Sequence, residues 1–324
     1  MKTDKLLFRF VHATDLHYDA ASNPAVPMAN ARVSCLINDI NTFNAEAPVD
    51  FVILSGDLSN CGAASEHALS DAKQLCDRLH APYYAIAGNH DLAPNRRYAA
   101  MYPGKEDYHE GVIETSNYAR IFGERGLRFS FERFGYHFVG VSLRDEDPDG
   151  MLDWLELEIE KIQERGIVVA HYGLYPPRDS GLMHTWGFSR IGTILPRLRS
   201  ILDQAGTKIV AYLYGHNHIN SVVKKNGIYH LSGGGIQKGC TGYRLFRCYK
   251  NRIESSFHLL SDSALWDFNY WGLKNPEKCI DSTHSTLEEY HRGNTEEQSL
   301  TIECKIRSLT AEPDAPADAD KPRR

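Results

Sequence analysis

Nine side chains able to bind a metal ion or carry a proton fall in five short knots along this 324-residue chain. They are Asp15 and His17; Asp57, in Gly56-Asp57; Asn89, His90 and Asp91, in Gly88-Asn89-His90-Asp91; His171; and His216 and His218, in Gly215-His216-Asn217-His218. Taken singly each is weak, because a lone aspartate after a strand is ordinarily a turn or cap and a lone histidine is ordinarily a satisfied core or surface residue. Five knots of the same donor chemistry, each at the end of an apolar run, do not fit that bland account. Carboxylates, imidazoles and an amide oxygen, without thiolate, suit Mn²⁺, Fe²⁺/Fe³⁺ or Zn²⁺ and disfavour copper(I) or an iron–sulfur cluster. Setting His90 and Asp91 aside, seven candidate ligands are too many for one ion. Two ions about 3.5–4 Å apart, bridged by a carboxylate, would use them all and leave room for water and a phosphoryl oxygen.

For residues so far apart in sequence to meet, the chain must deliver them to one place. The runs Leu7–Ala13, Phe51–Ser55, Tyr83–Ala87, Ile167–Ala170 and Ile209–Tyr214 read as buried strands, each ending within a few residues of a knot. In open α/β sheets the carboxyl ends of strands converge on one crevice, so sequence distance is no obstacle. Between the strands, Val33, Leu36, Ile37, Ile40 and Phe43 recur at helical spacing, as do Leu69, Ala72, Leu75, Cys76 and Leu79. A further helix is expected from about Asp149, which would cap it, with Leu152, Leu155, Ile159 and Ile162 on one face. Arg128–Phe134 and Tyr136–Leu143 straddle Gly135 as a hairpin. A second hairpin turns at Asn226-Gly227, a pair that tolerates the positive φ such a turn requires. Strands near Tyr243–Tyr249 and Arg252–His258 should close the core. The expectation is an α/β fold with mixed sheets.

In their order and wording the five knots resemble the five blocks of the calcineurin-like metallophosphoesterases, over about residues 7–260. The resemblance implies a two-sheet mixed β-sandwich flanked by helices with a dinuclear site at the strand ends. It implies that Asp15, His17, Asp57 and His218 hold one metal and Asp57, Asn89, His171 and His216 the other, with Asp57 as the bridge. His90 is by the same resemblance not a ligand but the donor to the leaving oxygen, with Asp91 either orienting its imidazole or capping a helix. Many members of the family follow the isolated histidine closely with proline, whereas His171 is followed by Tyr172-Gly173-Leu174-Tyr175 before Pro176-Pro177. Gly88-Asn89-His90-Asp91 and the later Gly242-Tyr243-Arg244 are similar to the bacterial class III cyclic-nucleotide phosphodiesterases within that family.

The implied reaction is hydrolysis of a phosphodiester, with a cyclic nucleotide as one candidate substrate, by a water or hydroxide that the metal pair acidifies. The alternatives are a phosphomonoesterase or nucleotide pyrophosphohydrolase with the same metals, or a non-catalytic interaction module of the same fold, against which the intact ligand set and His90 argue. Arg96 and Arg97, after the Asn-His block, and Arg178, His184, Trp186 and Arg190, after His171, are the candidates to border the substrate cleft, although an arginine is more often solvated.

Composition bounds the rest. Apolar residues make up 42% and charged residues 24%, as in an ordinary globular protein, and a net charge of −6 offers no general attraction for polymeric nucleic acid. The first apolar run, Leu6 to Val11, is broken by Arg9 and is too short for a signal peptide or a membrane span. Seven scattered cysteines with no CxxC pair point to a reduced, cytoplasmic compartment. Residues 1–260 are read as the catalytic domain and 261–310 as an aromatic extension, carrying Trp266, Phe268, Tyr270 and Trp271, that docks on the body. Residues 311–324, rich in Pro, Ala and Asp, read as a disordered tail.

Overall fold

A computed structural model describes residues 5–18, 28–92, 116–179, 191–268 and 282–304. Among the described residues, twelve strands form two six-stranded mixed sheets, packed face to face. In the first, β1 (Leu6–Ala13), β2 (Phe51–Leu54) and β3 (Tyr83–Ala85) run parallel, and β10 (Gly242–Tyr249), β11 (Arg252–Leu259) and β12 (Ser299–Glu303) extend it antiparallel beyond β1. The second has the order β4 (Arg128–Arg133), β5 (Tyr136–Val141), β6 (Gly166–Val169), β7 (Ile209–Tyr214), β9 (Ile228–Gly234) and β8 (Ile219–Lys225). Its middle strands β5, β6, β7 and β9 are parallel, while the hairpins place β4 and β8 antiparallel at the two edges.

Alternation along β1 shows how the layers arise. Phe8 and Phe10 point between the sheets, where Phe10 stacks on Phe246 and Phe51 with centroids 4.5 and 5.2 Å apart and meets Phe138 of the facing sheet edge-on at 5.3 Å. Val11 and Ala13 point the other way, into a core shared with the helices α1 (Ala29–Glu46) and α2 (Glu66–Cys76). A strand buried on both faces needs apolar residues on both, which is why β1, β2, β6 and β7 read as continuous runs rather than as alternating ones. The outer face of the second sheet is covered by α4 (Met151–Lys161) and α5 (Leu195–Ala205) through Leu152, Leu155, Leu198 and Leu202. The short α3 (Asn117–Phe122) packs beside α2.

The cap of α4 corrects one expectation. Asp147, not Asp149, accepts from the first helical amides, Met151 at 2.8 Å and Leu152 at 3.0 Å. Asp149 is instead drawn off by Arg144, whose Nε donates to it at 2.7 Å. The turn Asn226-Gly227 takes φ of 50° and 87°, as its sequence requires. Two small helices near the C-terminus, α6 (Leu287–Arg292) and α7 (Thr295–Gln298), lead into β12 and lie against β8. Leu265 is buried against the first core, whereas Trp266 stays 40% exposed, its indole N–H donating to the Leu260 carbonyl at 2.7 Å. Six described cysteines are unbridged, and no described helix is long and apolar enough to cross a membrane. Cys279, Tyr270, Trp271 and the 311–324 tail lie outside the described residues.

Candidate metal centre

The carboxyl ends of β1, β2 and β3 in one sheet, and of β6 and β7 in the other, meet along a common rim, and the loops leaving them are laced together. The Asp15 amide donates to the Gly56 carbonyl at 3.0 Å and the His17 amide to the Asp57 carbonyl at 2.9 Å. Across the second sheet, the Gly215 amide donates to the His171 carbonyl at 2.9 Å. These contacts hold a backbone that is otherwise unfavourable. Asp15, His17, Asp57, His216 and His218 have φ of 54°, 46°, 52°, 69° and 54°, the left-handed region, which costs a residue with a side chain ~1–2 kcal/mol. The loops therefore turn sharply where the functional side chains must be aimed inward. Two of the glycines are there for space: a β-carbon on Gly88 would strike the Asp57 carboxylate, and one on Gly215 would strike Thr14 and Asp15.

The donors, buried except for the partly exposed His90, fall into overlapping groups, each with its atoms within 4.8 Å of one another: Asp15, His17 and His218; Asp57, His171 and His216; and His17, Asp57 and His90. In the first, His218 Nε2 lies 3.3 Å from Asp15 Oδ1 and 3.1 Å from His17 Nε2. Asp15 is aimed by the His216 amide, which donates to its Oδ2 at 2.9 Å, and by the Thr14 hydroxyl at 3.0 Å. In the second, His171 Nδ1 donates to the Ser55 carbonyl at 2.8 Å, which fixes the ring and turns Nε2 toward Asp57 Oδ2 at 3.2 Å. That same Oδ2 lies 3.4 Å from His17 Nε2, so one oxygen of Asp57 faces both groups. Its other oxygen accepts from the His90 amide at 2.7 Å.

The electrostatics ask for positive charge. Burial alone would raise the pKa of Asp57, but His171 and His90 more than reverse this and hold it well below the usual carboxylate range. Asp15 is likewise held low against its burial, chiefly by His218. Burial would lower the pKa of His171, yet the Asp57 charge pushes it up to about 9. Two ionised, water-excluded carboxylates among imidazoles whose nitrogens face them make a donor set that fits cations, with protons as the alternative occupants.

All nine residues named from the sequence lie on this rim. Asn89 is buried in the loop after β3. The ring of His90 stands edge-on to that of His17 at 4.6 Å between centroids, and its Nδ1 bonds to the Asn60 carbonyl at 2.7 Å. Asp91 does not orient that imidazole. Its carboxylate accepts from the amides of Leu58 at 2.9 Å, Ser59 at 3.0 Å and Gly88 at 3.1 Å, clamping the loop after β2 to the loop after β3. Burial, with the Asp57 charge adding to it, raises its pKa to about 7.

The sequence did not disclose Thr14, Ser55 or Asn60, two of which act through main-chain carbonyls that carry no residue signature. Arg178 is buried and bonded to Tyr290 and Glu297, and the cavity it lines with Val222 and Glu297 includes none of the candidate metal ligands. Arg96, Arg97, His184, Trp186 and Arg190 lie outside the described residues.

Comparison with known proteins agrees with this geometry. Over 223 residues the chain is 26% identical to a probable glycerophosphodiester phosphodiesterase from Arcobacter nitrofigilis, covering 67% of this chain and 74% of that relative. Its fold is similar to that of a dimetal phosphatase from Danio rerio, with a TM-score of 0.54 at 15% identity over 78% of this chain and 96% of that one. It is also similar to GAP50, the anchor in the inner membrane complex of Plasmodium, with a TM-score of 0.51 at 13% identity over 80% and 86% of the two chains. Likeness at such low identity speaks to the fold alone. The calcineurin-like phosphoesterase family model matches residues 8–220, a span that holds all five knots, and the chain therefore belongs to that family of metal-dependent phosphoester hydrolases.

Proposed function

We propose that the chain hydrolyses a small organic phosphodiester at a two-metal centre. Asp15, His17, Asp57 and His218 would hold one ion, and Asp57, Asn89, His171 and His216 the other. The observation that carries this reading is Asp57 Oδ2, 3.4 Å from His17 Nε2 and 3.2 Å from His171 Nε2, which is where a carboxylate shared by two cations belongs. Mn²⁺, Fe²⁺/Fe³⁺ and Zn²⁺ all suit the donors. When bound, such ions lower the pKa of water towards neutrality and offset the charge on phosphoryl oxygens.

The chain's own contribution at the leaving group falls to His90. Its Nδ1 keeps a proton on the Asn60 carbonyl, so the proton for the departing oxygen must come from Nε2, and only the imidazolium has one there. Burial opposes that form and holds the pKa below the usual imidazole value, the Asp57 charge offsetting only part of it. Asp91 supports the site by holding the loops after β2 and β3 in register.

Among diesters, the glycerophosphodiester named for the Arcobacter relative is the first substrate to try. Arg244 of the Gly242-Tyr243-Arg244 run is fully buried and bonded to Ser232, Ser255 and Glu297, so it is not itself a candidate to touch a cyclic nucleotide. The test is turnover of a glycerophosphodiester, a cyclic nucleotide, a linear nitrophenyl diester and the matching monoester, with metal content measured in parallel. The expected result is two ions per chain and faster turnover of diesters than of the monoester. A faster monoester would make the chain a phosphomonoesterase, and a metal-loaded chain inert towards every ester would make it a binding module.

A further inference from the structure

The strand β8 closes its sheet, so the main-chain groups on its outer side should face water, yet a buried ion pair serves them instead. Arg178 Nη2 donates to the Asn220 carbonyl at 2.8 Å, and Glu297 Oε1 accepts from the Val222 amide at 3.1 Å. Arg178 Nη1 and Glu297 Oε1 are themselves 2.9 Å apart. In an antiparallel strand the carbonyl of one residue and the amide of the next but one point to the same side. The pair therefore presents one donor and one acceptor where a neighbouring strand would.

Each member of the pair is tied elsewhere. Arg178 Nε donates to the Tyr290 carbonyl at 2.9 Å and Nη1 to the Pro177 carbonyl at 2.8 Å. Glu297 Oε2 meets His284 Nε2 at 2.6 Å and accepts from the Asn294 amide at 3.1 Å. The Asn220 amide group donates to the Arg292 carbonyl at 2.6 Å, and its oxygen accepts from Arg244 Nη2. Arg244 Nη2 also reaches the Glu297 carbonyl at 2.8 Å. Arg178 is 2% exposed, and Asn220 and Arg244 are fully buried.

This knot is joined along the chain to both halves of the candidate metal centre. Asn220 opens β8 directly behind the His216–His218 loop, separated from His218 by Ile219 alone, and Arg178 closes the stretch that His171 begins. We propose that Asn220, Arg178 and Glu297 are positioning residues, through which residues 282–304 set the spacing of the His171 and His218 loops and so the tightness with which the two ions are held. The proposal rests on the two-metal reading above. Removing one partner of a buried ion pair leaves the other charge uncompensated, so the loop anchored by Arg178 is the part expected to shift.

The test is calorimetric titration of the metal-stripped full chain with Mn²⁺ and, separately, Zn²⁺, well below the melting temperature. Glu297→Ala should weaken binding tenfold or more, and Glu297→Gln, which also leaves Arg178 without its counter-charge, should weaken it at least threefold. A purely structural role would lower the melting temperature of Glu297→Ala and leave the affinity of the folded protein unmoved, and that result overturns the proposal. Should Glu297→Ala fail to fold, Asn220→Ala, which retains the carbonyl that Arg178 binds, carries the same tenfold expectation and the same refutation. An unaltered chain that takes up no metal overturns both readings, while one that takes up two ions, with variants that bind as tightly, overturns only this one.

Discussion

His17 Nε2 and His218 Nε2 lie 3.1 Å apart, although the two residues are brought from opposite sheets. Two imidazole lone pairs at that distance repel, so the pair needs a proton or a cation between or beside them, and Asp15 Oδ1, 3.3 Å from the second nitrogen, favours the same. His17 and His218 both hold left-handed backbone, at φ of 46° and 54°. Strain of this kind persists only where the surroundings over-determine it, and here what it brings about is the close approach of donors.

Chelation should therefore destabilise the protein, and adding metal back should restore it. Each ion at a free concentration of about 100 times its dissociation constant contributes ~2.7 kcal/mol. Because Asp57 faces both donor groups, Asp57→Ala should lose both ions together rather than one. Metal analysis of the purified variant, with its melting curve in the presence and absence of chelator, checks this. Retention of both ions would disprove the shared carboxylate.

Asp91→Ala should act on stability through the loops it clamps. The substitution orphans the buried amides of Leu58, Ser59 and Gly88, at ~1–3 kcal/mol for each one left without water. An overall loss of about 3 kcal/mol in urea unfolding is expected. Asp91→Asn, which retains an acceptor oxygen and sheds a charge that burial disfavours, should lose about half as much. A loss below ~0.5 kcal/mol for the alanine variant would show that solvent or a neighbour replaces the carboxylate.

The contrast between Asp91 and its neighbours shows what a sequence can and cannot disclose. The strands β1, β2, β6 and β7 were legible because both of their faces are buried, and most of the candidate metal ligands because they follow such a run. β12 was not, since in Ser-Leu-Thr-Ile-Glu only Ile302 is buried, and the segment becomes a strand by pairing with β11, Ile253 opposite Ile302. Arg178 read as a surface or substrate-facing charge for a similar reason, and Arg244 carried no reading beyond its place in the Gly-Tyr-Arg run. Their burial depends on Asn220, Glu297 and Ser255, partners that lie across the fold and that no local pattern connects.

Stability should fall in mild acid for reasons separate from the metal centre. Burial lowers the pKa of His12 to about 3 and those of His230 and His291 to about 4. The unfolded chain takes up these protons near pH 6.5, so between about pH 6.5 and 4 it binds more protons than the native state, and stability declines as pH falls. Each histidine contributes a slope that approaches about 1.4 kcal/mol per pH unit near pH 5.5, about half of that at pH 6.5, and little above pH 7.5. His230 sits among aromatic rings, 4.9 Å from Tyr175 and 5.3 Å from Tyr212. His230→Phe should keep that packing and lessen the pH dependence by roughly one histidine's share. Urea unfolding from pH 4 to 7 under saturating metal measures it, and an unchanged slope would show that His230 is protonated in the native protein.

The sharpest separation of chemistry from metal binding is at His90, whose ring stands 4.6 Å from that of His17 while its Nδ1 is engaged by Asn60. If Nε2 donates to the departing oxygen, the value of that proton depends on how basic the oxygen is. Removing a positioned acid costs about 10²–10⁴-fold in rate. The loss should be large for a glyceryl or ribosyl leaving group, which departs as a strongly basic alkoxide, and much smaller for nitrophenolate, which leaves unaided. His90→Ala should accordingly retain two metals, lose most of its activity on an alkyl diester and lose distinctly less on a nitrophenyl diester. Equal losses on the two substrates at full metal content would recast His90 as a stabiliser of charge on the phosphoryl group. Loss of metal would instead make it a ligand through the group it forms with His17 and Asp57.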